Sequence, residues 1–106
     1  MPPIASKRAS RSGYRFPLVL APDDNNTVLV TCPDVPDMIT FGRNRADAIR
    51  RARGALDAVI DHRIERGLAL PMPRRPERGQ PIASPSPAIV RRMAAYSIKQ
   101  RVALAK

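Results

Sequence analysis

The chain has 106 residues and a net charge of +10 at neutral pH, from 19 Lys and Arg against nine Asp and Glu. This length suits one small domain and excludes a large enzyme with its own cofactor domain. The single cysteine excludes a disulfide framework and a cysteine-rich zinc site. No apolar run approaches the roughly 20 residues that cross a bilayer, so the sequence predicts no membrane partner.

Charge is distributed unevenly along the chain. Residues 1–15 carry +4, residues 16–42 carry −4 with no base, and residues 80–106 carry +5 with no acid. Residues 43–66 combine seven arginines with four acids. An acidic segment therefore lies between basic flanks, and the overall positive charge favours nucleic acid, an anionic membrane face or an acidic protein as partner.

The first part of the chain predicts a basic arm followed by a strand. Residues 1–13 are rich in Arg and Ser and lack the apolar core of a secretory signal, so we interpret them as disordered. Residues 14–21, YRFPLVLA, alternate with the period of two that a pleated strand requires. Pro17 has no main-chain N–H, which places this strand at a sheet edge or marks a bulge.

Two further strands are predicted in the acidic segment. The run PDDNN at 22–26 is a strong turn signal, and residues 27–32, TVLVTC, are rich in β-branched side chains. The first two strands should therefore form an antiparallel hairpin. A Pro/Asp loop over 33–38 leads to a short third strand at 39–41, which Gly42 ends.

The apolar period then changes, which predicts a helix over residues 44–66 with one face on the sheet. The apolar positions of that face are Ile49, Ala52, Leu56, Val59 or Ile60, and Ile64. Asn44 and Asp47 fit an N-cap with an acidic partner in the first turn, and Gly67 fits the C′ position. Gly54, inside the helix, is interpreted as a point of close packing on the sheet.

A proline-rich stretch separates this helix from a second one. Residues 68–86 contain five prolines, which is typical of a flexible, extended linker. Ser86 and Pro87 fit the N-cap and first position of a detached helix that runs to the end of the chain. The fold class predicted is α+β: a three-stranded antiparallel sheet covered by one helix, plus a separate C-terminal helix. The predicted boundaries are 1–13 for the arm, 14–67 for the domain, 68–86 for the linker and 87–106 for the helix.

The C-terminal helix has two candidate roles, which are compatible in one molecule. Its apolar residues suit burial against a second copy and are Ile89, Val90, Met93, Ala94, Ile98 and Val102. Its basic residues suit contacts with nucleic-acid phosphates and are Arg91, Arg92, Lys99, Arg101 and Lys106. Tyr96 could add a stacking or hydrogen-bonding contact.

No residue pattern in the sequence predicts catalysis, a metal site or a cofactor. His62 is expected on the surface, and Cys32 is expected to be a small, half-buried residue at a strand end. The acids of the turn and loop are explained by local geometry and are Asp23, Asp24, Asp34 and Asp37. The helical acids are expected to be solvated partners of Arg53 and nearby bases and are Asp57, Asp61 and Glu65. We therefore predict a protein that is not an enzyme.

An ordered set of short motifs runs through residues 14–73. In chain order these motifs are Ala21–Pro22–Asp23–Asp24, Val28–Leu29–Val30–Thr31, Pro33–Asp34–Val35–Pro36, Ile39–Thr40–Phe41–Gly42, Ala48–Ile49, Ala52–Arg53, and Gly67 with Leu70–Pro71–Met72–Pro73. Together they resemble the HicB family of toxin–antitoxin antitoxins. The resemblance implies a β-β-β-α unit similar to a partial RNase H fold. It also implies that this unit binds a small, basic, mRNA-cleaving HicA-type toxin and blocks its active surface.

The resemblance also implies a C-terminal segment that binds operator DNA and drives homo-oligomerisation. Residues 87–106 resemble only the opening of such a segment, so we expect no complete recognition helix. The expected function is a cytoplasmic HicB-like antitoxin, or a regulator derived from one, that neutralises a HicA-type toxin and autoregulates transcription. The alternative is a basic nucleic-acid-binding protein, or a regulatory protein of a phage or mobile element, on a HicB-like scaffold.

Overall fold

The computed structural model describes residues 14–105, with side chains as far as residue 102. The predicted basic arm at 1–13 and Lys106 lie outside the described residues. The elements in chain order are β1 (Phe16–Pro17), β2 (Val19–Asp23), β3 (Thr27–Thr31), β4 (Ile39–Gly42), α1 (Arg45–Glu65), β5 (Ile82–Ala83) and α2 (Pro87–Ala105). The predicted α+β class, with a helix on a three-stranded antiparallel sheet and a second C-terminal helix, is confirmed.

The sheet has the strand order β2-β3-β4, and both pairs are antiparallel. A 3₁₀ turn over Asp24–Asn26 joins β2 to β3, with Asn25 and Asn26 at φ of 67° and 60°. Asn tolerates this left-handed backbone better than most residues do. The hairpin predicted from the PDDNN signal is therefore confirmed.

The strand expected over 14–21 is divided at Leu18. β1 pairs with β5, with Phe16 opposite Ala83, whereas β2 pairs with β3. Phe16, Pro17 and Leu18 are all buried, so the period of two does not hold through the division. Burial on successive positions is possible because the chain leaves one pairing partner for another at this point.

Helix α1 begins and ends where the sequence predicted. The Asn44 side chain accepts a hydrogen bond of 2.9 Å from the Asp47 N–H, and Gly67 follows the helix at a φ of 70°. The fully buried residues on the sheet side of α1 are Ala48, Ala52, Leu56 and Ile60. The interpretation of Gly54 as a point of close packing on the sheet is wrong. Gly54 is exposed, and nothing lies within 4 Å of the position that a Cβ would occupy.

The close approach between helix and sheet occurs at Gly42 instead. A Cβ at this position would lie 2.2 Å from the main-chain nitrogen of Ala48 and 2.7 Å from the carbonyl carbon of Asp47. Only a residue without a side chain lets the first turn of α1 pack directly on β4. Gly42 therefore sets the depth at which α1 sits on the sheet.

The segment predicted as a flexible linker is extended, but it is attached along the domain. Asp34 accepts two hydrogen bonds of 2.9 Å from Arg74, one from its main-chain N–H and one from Nε. Six residues later, the Gln80 side chain donates to the Leu18 carbonyl, and β5 then pairs with β1. The prolines suit this path because an extended chain at an edge needs few N–H donors.

Helix α2 is not detached, which corrects the expectation for this element. Ser86 donates its N–H to Asp57 at 2.9 Å, Arg92 forms an ion pair with Asp61, and the Met93 side chain is fully buried against α1. The Ser86 cap is confirmed, because its hydroxyl accepts from the Ile89 N–H at 3.3 Å. Neither this helix nor any other in the described residues is long and apolar enough to cross a membrane.

Candidate protein-binding face and charged surfaces

One face of the three-stranded sheet is covered by α1, and nothing within residues 14–105 covers the other. The strand register places Val19, Thr31 and Ile39 in one row of the open face, and Ala21, Leu29 and Phe41 in the next. Three of these apolar side chains are largely exposed: 45% for Val19, 60% for Ile39 and 51% for Phe41. We call these six residues the open sheet face.

The chemistry of the open sheet face is that of a protein-binding surface. Adjacent large apolar side chains on a flat sheet lose contact with water when a partner covers them, which is favourable by about 25 cal/mol per Å². The strand β4 is also an edge, since it pairs only with β3 within the described residues. An edge strand offers main-chain donors and acceptors beside Ile39 and Phe41.

Two of the four acids that precede α1 are held by internal ion pairs. Asp34 is bound by Arg74 as described, and Asp37 accepts a hydrogen bond of 2.6 Å from Arg63 of α1. Desolvation acts to raise the pKa of the Asp34 carboxyl, but the N–H and guanidinium of Arg74 outweigh it, and the pKa lies below its usual value. Two of the four carboxylates of residues 16–42 are therefore paired within the fold.

Asp47 organises a cluster of arginines at the start of α1. The N–H of Arg43 donates to its Oδ2 at 2.9 Å, and the guanidinium groups of Arg43, Arg50 and Arg51 all contact its two carboxylate oxygens. The Arg43 N–H hydrogen bond, followed by the Arg50 and Arg51 contacts, holds the pKa of Asp47 well below its usual range, although desolvation opposes the shift. Asp47 is therefore ionised at neutral pH, and its charge offsets part of the positive charge of the three arginines.

The remaining acids do not have the partners expected from the sequence. Asp57 accepts from the Ser86 N–H, and Asp61 pairs with Arg92 rather than with Arg53.

Asp23 and Asp24 border an open hollow of about 560 Å³ beside α1. Its lining residues are Asp23, Asp24, Asn25, Thr27, Phe41, Gly42, Arg43 and Arg51.

Within the described residues, no three side chains of His, Cys, Asp or Glu come together as a metal site. Cys32 is more deeply buried than expected, with an exposed fraction of 2%. This burial raises the pKa of its thiol, although the N–H groups of Asp34 and Val35 oppose the shift. His62 is exposed on α1, where the sequence placed it.

The apolar residues proposed for oligomerisation divide between two sides of α2. Ile89 and Met93 pack into the domain core, and Val90 is half-buried. Ala94, Ile98 and Val102 are exposed, the last two at 56%. Only this second group is available to another molecule.

The basic residues proposed for nucleic-acid contact are also divided. Arg91, Lys99 and Arg101 are exposed, whereas Arg92 is engaged by Asp61. The hydroxyl of Tyr96 donates to the Leu68 carbonyl at 2.7 Å and so joins α2 to the chain after α1. Tyr96 is therefore a tertiary contact in this fold.

The open sheet face was not identified as a site from the sequence. The available signal was that three odd-numbered residues of the hairpin, Val19, Ala21 and Leu29, are apolar, in addition to the even-numbered residues that face α1. A sheet with one solvated face normally alternates apolar with polar residues, so two apolar faces indicate a second covering partner.

The fold and its surfaces define a small α+β domain with one exposed apolar sheet face. The sequence model of a family described as the HicB_like antitoxin of bacterial toxin-antitoxin system matches residues 15–88. Because this match spans well over half of the chain, the protein belongs to the HicB-like antitoxin family.

One similar solved structure is the N-terminal domain of the Burkholderia pseudomallei antitoxin HicB. It is 32% identical, with a TM-score of 0.49, and the alignment covers 53% of this chain. The alignment covers 66% of that domain, slightly less than two thirds. No curated protein matches the chain.

Proposed function

We propose that this chain neutralises a small, HicA-type, mRNA-cleaving toxin by binding it with the open sheet face. The carrying observation is the exposure of Ile39 and Phe41 on a sheet face that nothing in the described part of the chain covers. Family membership supports an antitoxin role, and the exposed apolar rows supply the surface for it. The chain acts in this proposal by occluding the toxin and not by catalysis.

Apolar contact and strand-edge hydrogen bonds carry the affinity in this proposal. Long-range charge attraction contributes little, because Asp34 and Asp37 are already paired with Arg74 and Arg63. Of the four acids in residues 16–42, only Asp23 and Asp24, at the turn between β2 and β3, form no ion pair among the described residues. A basic toxin and a chain of net charge +10 repel each other at long range. Added salt should therefore not weaken the complex.

The proposal is tested by inhibition of mRNA cleavage by the purified cognate toxin. The variant Ile39→Thr with Phe41→Thr replaces both large apolar side chains with threonine, a β-branched residue that suits a strand. We expect this variant to inhibit cleavage at least about 30-fold less potently than the wild type. A loss of that size corresponds to removing a binding hot spot of about 2 kcal/mol.

The matched control removes equally exposed apolar groups from α2. Ile98→Ala with Val102→Ala changes two side chains that are each 56% exposed, against 60% and 51% for Ile39 and Phe41. This control should inhibit cleavage as the wild type does. If it loses inhibition while the β4 variant retains it, the toxin binds α2 and the proposal is wrong.

For α2 we propose self-association through Ala94, Ile98 and Val102. These side chains lie four residues apart and are exposed along one side of the helix. Sedimentation of the Ile98→Ala, Val102→Ala variant tests this role, and a lower mass than the wild type is expected. Arg91, Lys99 and Arg101 would then contact operator DNA in autoregulation, and the protein would act in the cytoplasm.

The second candidate function is binding of nucleic acid without a toxin partner. The supporting observation is the excess of basic side chains that have no ion pair among the described residues. These include Arg45, Arg53, Arg75, Arg78, Arg91, Lys99 and Arg101. A nuclease-treated pull-down from the native cells distinguishes the two functions, because only the antitoxin retains a stoichiometric small protein.

A further inference from the structure

The open sheet face ends at a hollow that carries charges of both signs. Asp23 and Asp24 border this hollow from the turn between β2 and β3. Arg43 and Arg51 border it from the other side, just before α1 and in its second turn. Phe41 of the open sheet face is part of the same lining, so the apolar face and the hollow form one continuous surface. We call the two acids and the two arginines the charged end of the open sheet face.

The two signs of charge lie on opposite sides of the hollow. Asp23 is the last residue of β2, Arg43 follows the last residue of β4, and β3 lies between these two strands. Two strand spacings place the two main chains about 10 Å apart. Neither acid forms an ion pair with Arg43, Arg51 or any other base among the described residues. The acids and the arginines therefore border the same hollow without neutralising each other across it.

Asp47 keeps the two arginines on their own side of the hollow. Its Oδ2 accepts from Nε of Arg51 at 3.1 Å and from Nε of Arg43 at 3.5 Å, which anchors both side chains beside α1. The side chains nevertheless stay 77% exposed for Arg43 and 53% exposed for Arg51, and each guanidinium keeps unused N–H donors. The charges are therefore accessible and held in place before a partner arrives, which reduces the conformational entropy lost on binding.

We propose that the charged end selects the toxin by its charge pattern and fixes the orientation in which the toxin binds. This inference rests on the proposed function, since it takes the open sheet face to be the toxin-binding surface. The toxin surface that fits has an apolar centre, a basic group that reaches the two acids, and an acidic group about 10 Å away that reaches the two arginines. A toxin turned by half a rotation would bring like charges together, which opposes binding in that orientation.

The mixed charge of this end disfavours an occupant with charge of only one sign. A phosphate chain over Arg43 and Arg51 would also lie close to the two acids, and a wholly basic surface would lie against the two arginines. Phe41 favours a basic group on the acidic side, because the apolar stem of Lys or Arg packs along an aromatic ring while its charged head reaches a carboxylate. Since the opposed charges cancel at long range, they act on contact and agree with a complex that salt does not weaken.

The arginine side is tested by calorimetric titration of the purified cognate toxin into the full chain and its variants. Arg43→Gln with Arg51→Gln removes positive charge at the charged end, and Arg75→Gln with Arg78→Gln removes the same charge outside the hollow. Long-range repulsion by a basic toxin predicts tighter binding by both variants. We expect the first variant to bind at least about tenfold more weakly, because the acidic group of the toxin loses its partners. The second should bind as tightly as the wild type or more tightly.

The acidic side is tested in the same titration. Asp23→Asn with Asp24→Asn removes both charges and keeps residues that suit the turn. We expect this variant to bind the toxin at least about tenfold more weakly than the wild type. Glu65→Gln with Glu77→Gln makes the same change in net charge at two exposed acids outside the hollow. This control should bind within about twofold of the wild type, because salt screens distant exposed charges.

Two results would overturn the inference, provided that urea unfolding shows each variant to be folded. One is an unchanged or tighter Kd for the arginine variant, and the other is an equal effect of the Asp23→Asn, Asp24→Asn variant and its control. In either case net charge alone would explain the binding. If the Ile39→Thr, Phe41→Thr variant also loses toxin binding, only the role of the charged end is wrong and the proposed function stands. If that variant binds as the wild type does, the proposed function and this inference are both wrong.

Discussion

The chain contains two glycines for which the same substitution has opposite predicted effects. A Cβ added at Gly42 would lie 2.2 Å from the Ala48 nitrogen, where ordinary contact begins near 3.4 Å. The atoms in the way belong to the main chain of α1, so the helix must move away by about 1 Å. At Gly54 nothing lies within 4 Å, and the added methyl group meets only solvent.

The expected losses of stability follow from the interactions that this displacement of α1 weakens. Overpacking alone costs about 1–3 kcal/mol of stability. Displacing the first turn of α1 also weakens the Asn44 cap, which contributes about 1 kcal/mol. The same displacement weakens the hydrogen bond from the Arg43 N–H to Asp47. We expect Gly42→Ala to lower the free energy of unfolding by about 3–5 kcal/mol. Gly54→Ala should raise it by about 0.5–1 kcal/mol, because alanine is the better helix former.

The assay is urea unfolding of both variants and the wild type, followed by far-ultraviolet circular dichroism. A loss of about 3–5 kcal/mol is a large share of the stability expected for a domain of this size, about 5–15 kcal/mol. Equal effects of the two substitutions, or a larger loss at Gly54, would refute the placement of α1 on β4. Gly54→Ala is the built-in control for a change of helix propensity.

Two further predictions concern α2 and the ion pairs. Met93→Ala should lower the free energy of unfolding by about 2–5 kcal/mol in the same assay, because the Met93 side chain is fully buried. Ile98→Ala should change it by less than about 0.5 kcal/mol, because Ile98 is exposed. Equally small effects of the two substitutions would mean that α2 is detached. Acid should destabilise the fold, because the folded-state pKa of Asp34 and of Asp47 lies below the ordinary value of 3.8. Their contribution is complete above that pH and is lost as the pH falls through the folded-state pKa. Asp47→Asn should therefore show a shallower loss of stability below pH 3.8 than the wild type, and an unchanged acid profile would contradict the account.

Elements that depend on local sequence were predictable in this chain. Asn44 and Gly67 mark the ends of α1 because caps act within a few residues of the helix terminus. The turn at 22–26 was predictable for the same reason, since Asp and Asn satisfy its backbone locally. Apolar spacing placed Ala52, Leu56 and Ile60 correctly on the buried side of α1. It missed Ala48 and included Ile49 and Ile64, which are only half-buried.

The path of residues 68–86 could not be predicted, because the contacts that hold it join distant parts of the chain. The Asp34–Arg74 interaction spans 40 residues, and β5 pairs with β1 across the whole domain. A high proline content predicts an extended local conformation, but it does not predict which residues of the domain lie beside that segment. Similarly, residue type alone does not distinguish Gly42 from Gly54. Only the packing of α1 on β4 shows that a side chain is excluded at Gly42 and tolerated at Gly54.

Calorimetric titration of the purified cognate HicA-type toxin into this protein measures whether the toxin binds the open sheet face, as proposed. The wild type and the Ile98→Ala, Val102→Ala control should bind with the same Kd. The Ile39→Thr, Phe41→Thr variant, shown by unfolding to keep its fold, should bind at least about 30-fold more weakly. A Kd for that variant equal to the wild-type value would contradict the account, because the toxin would then dock elsewhere on the molecule.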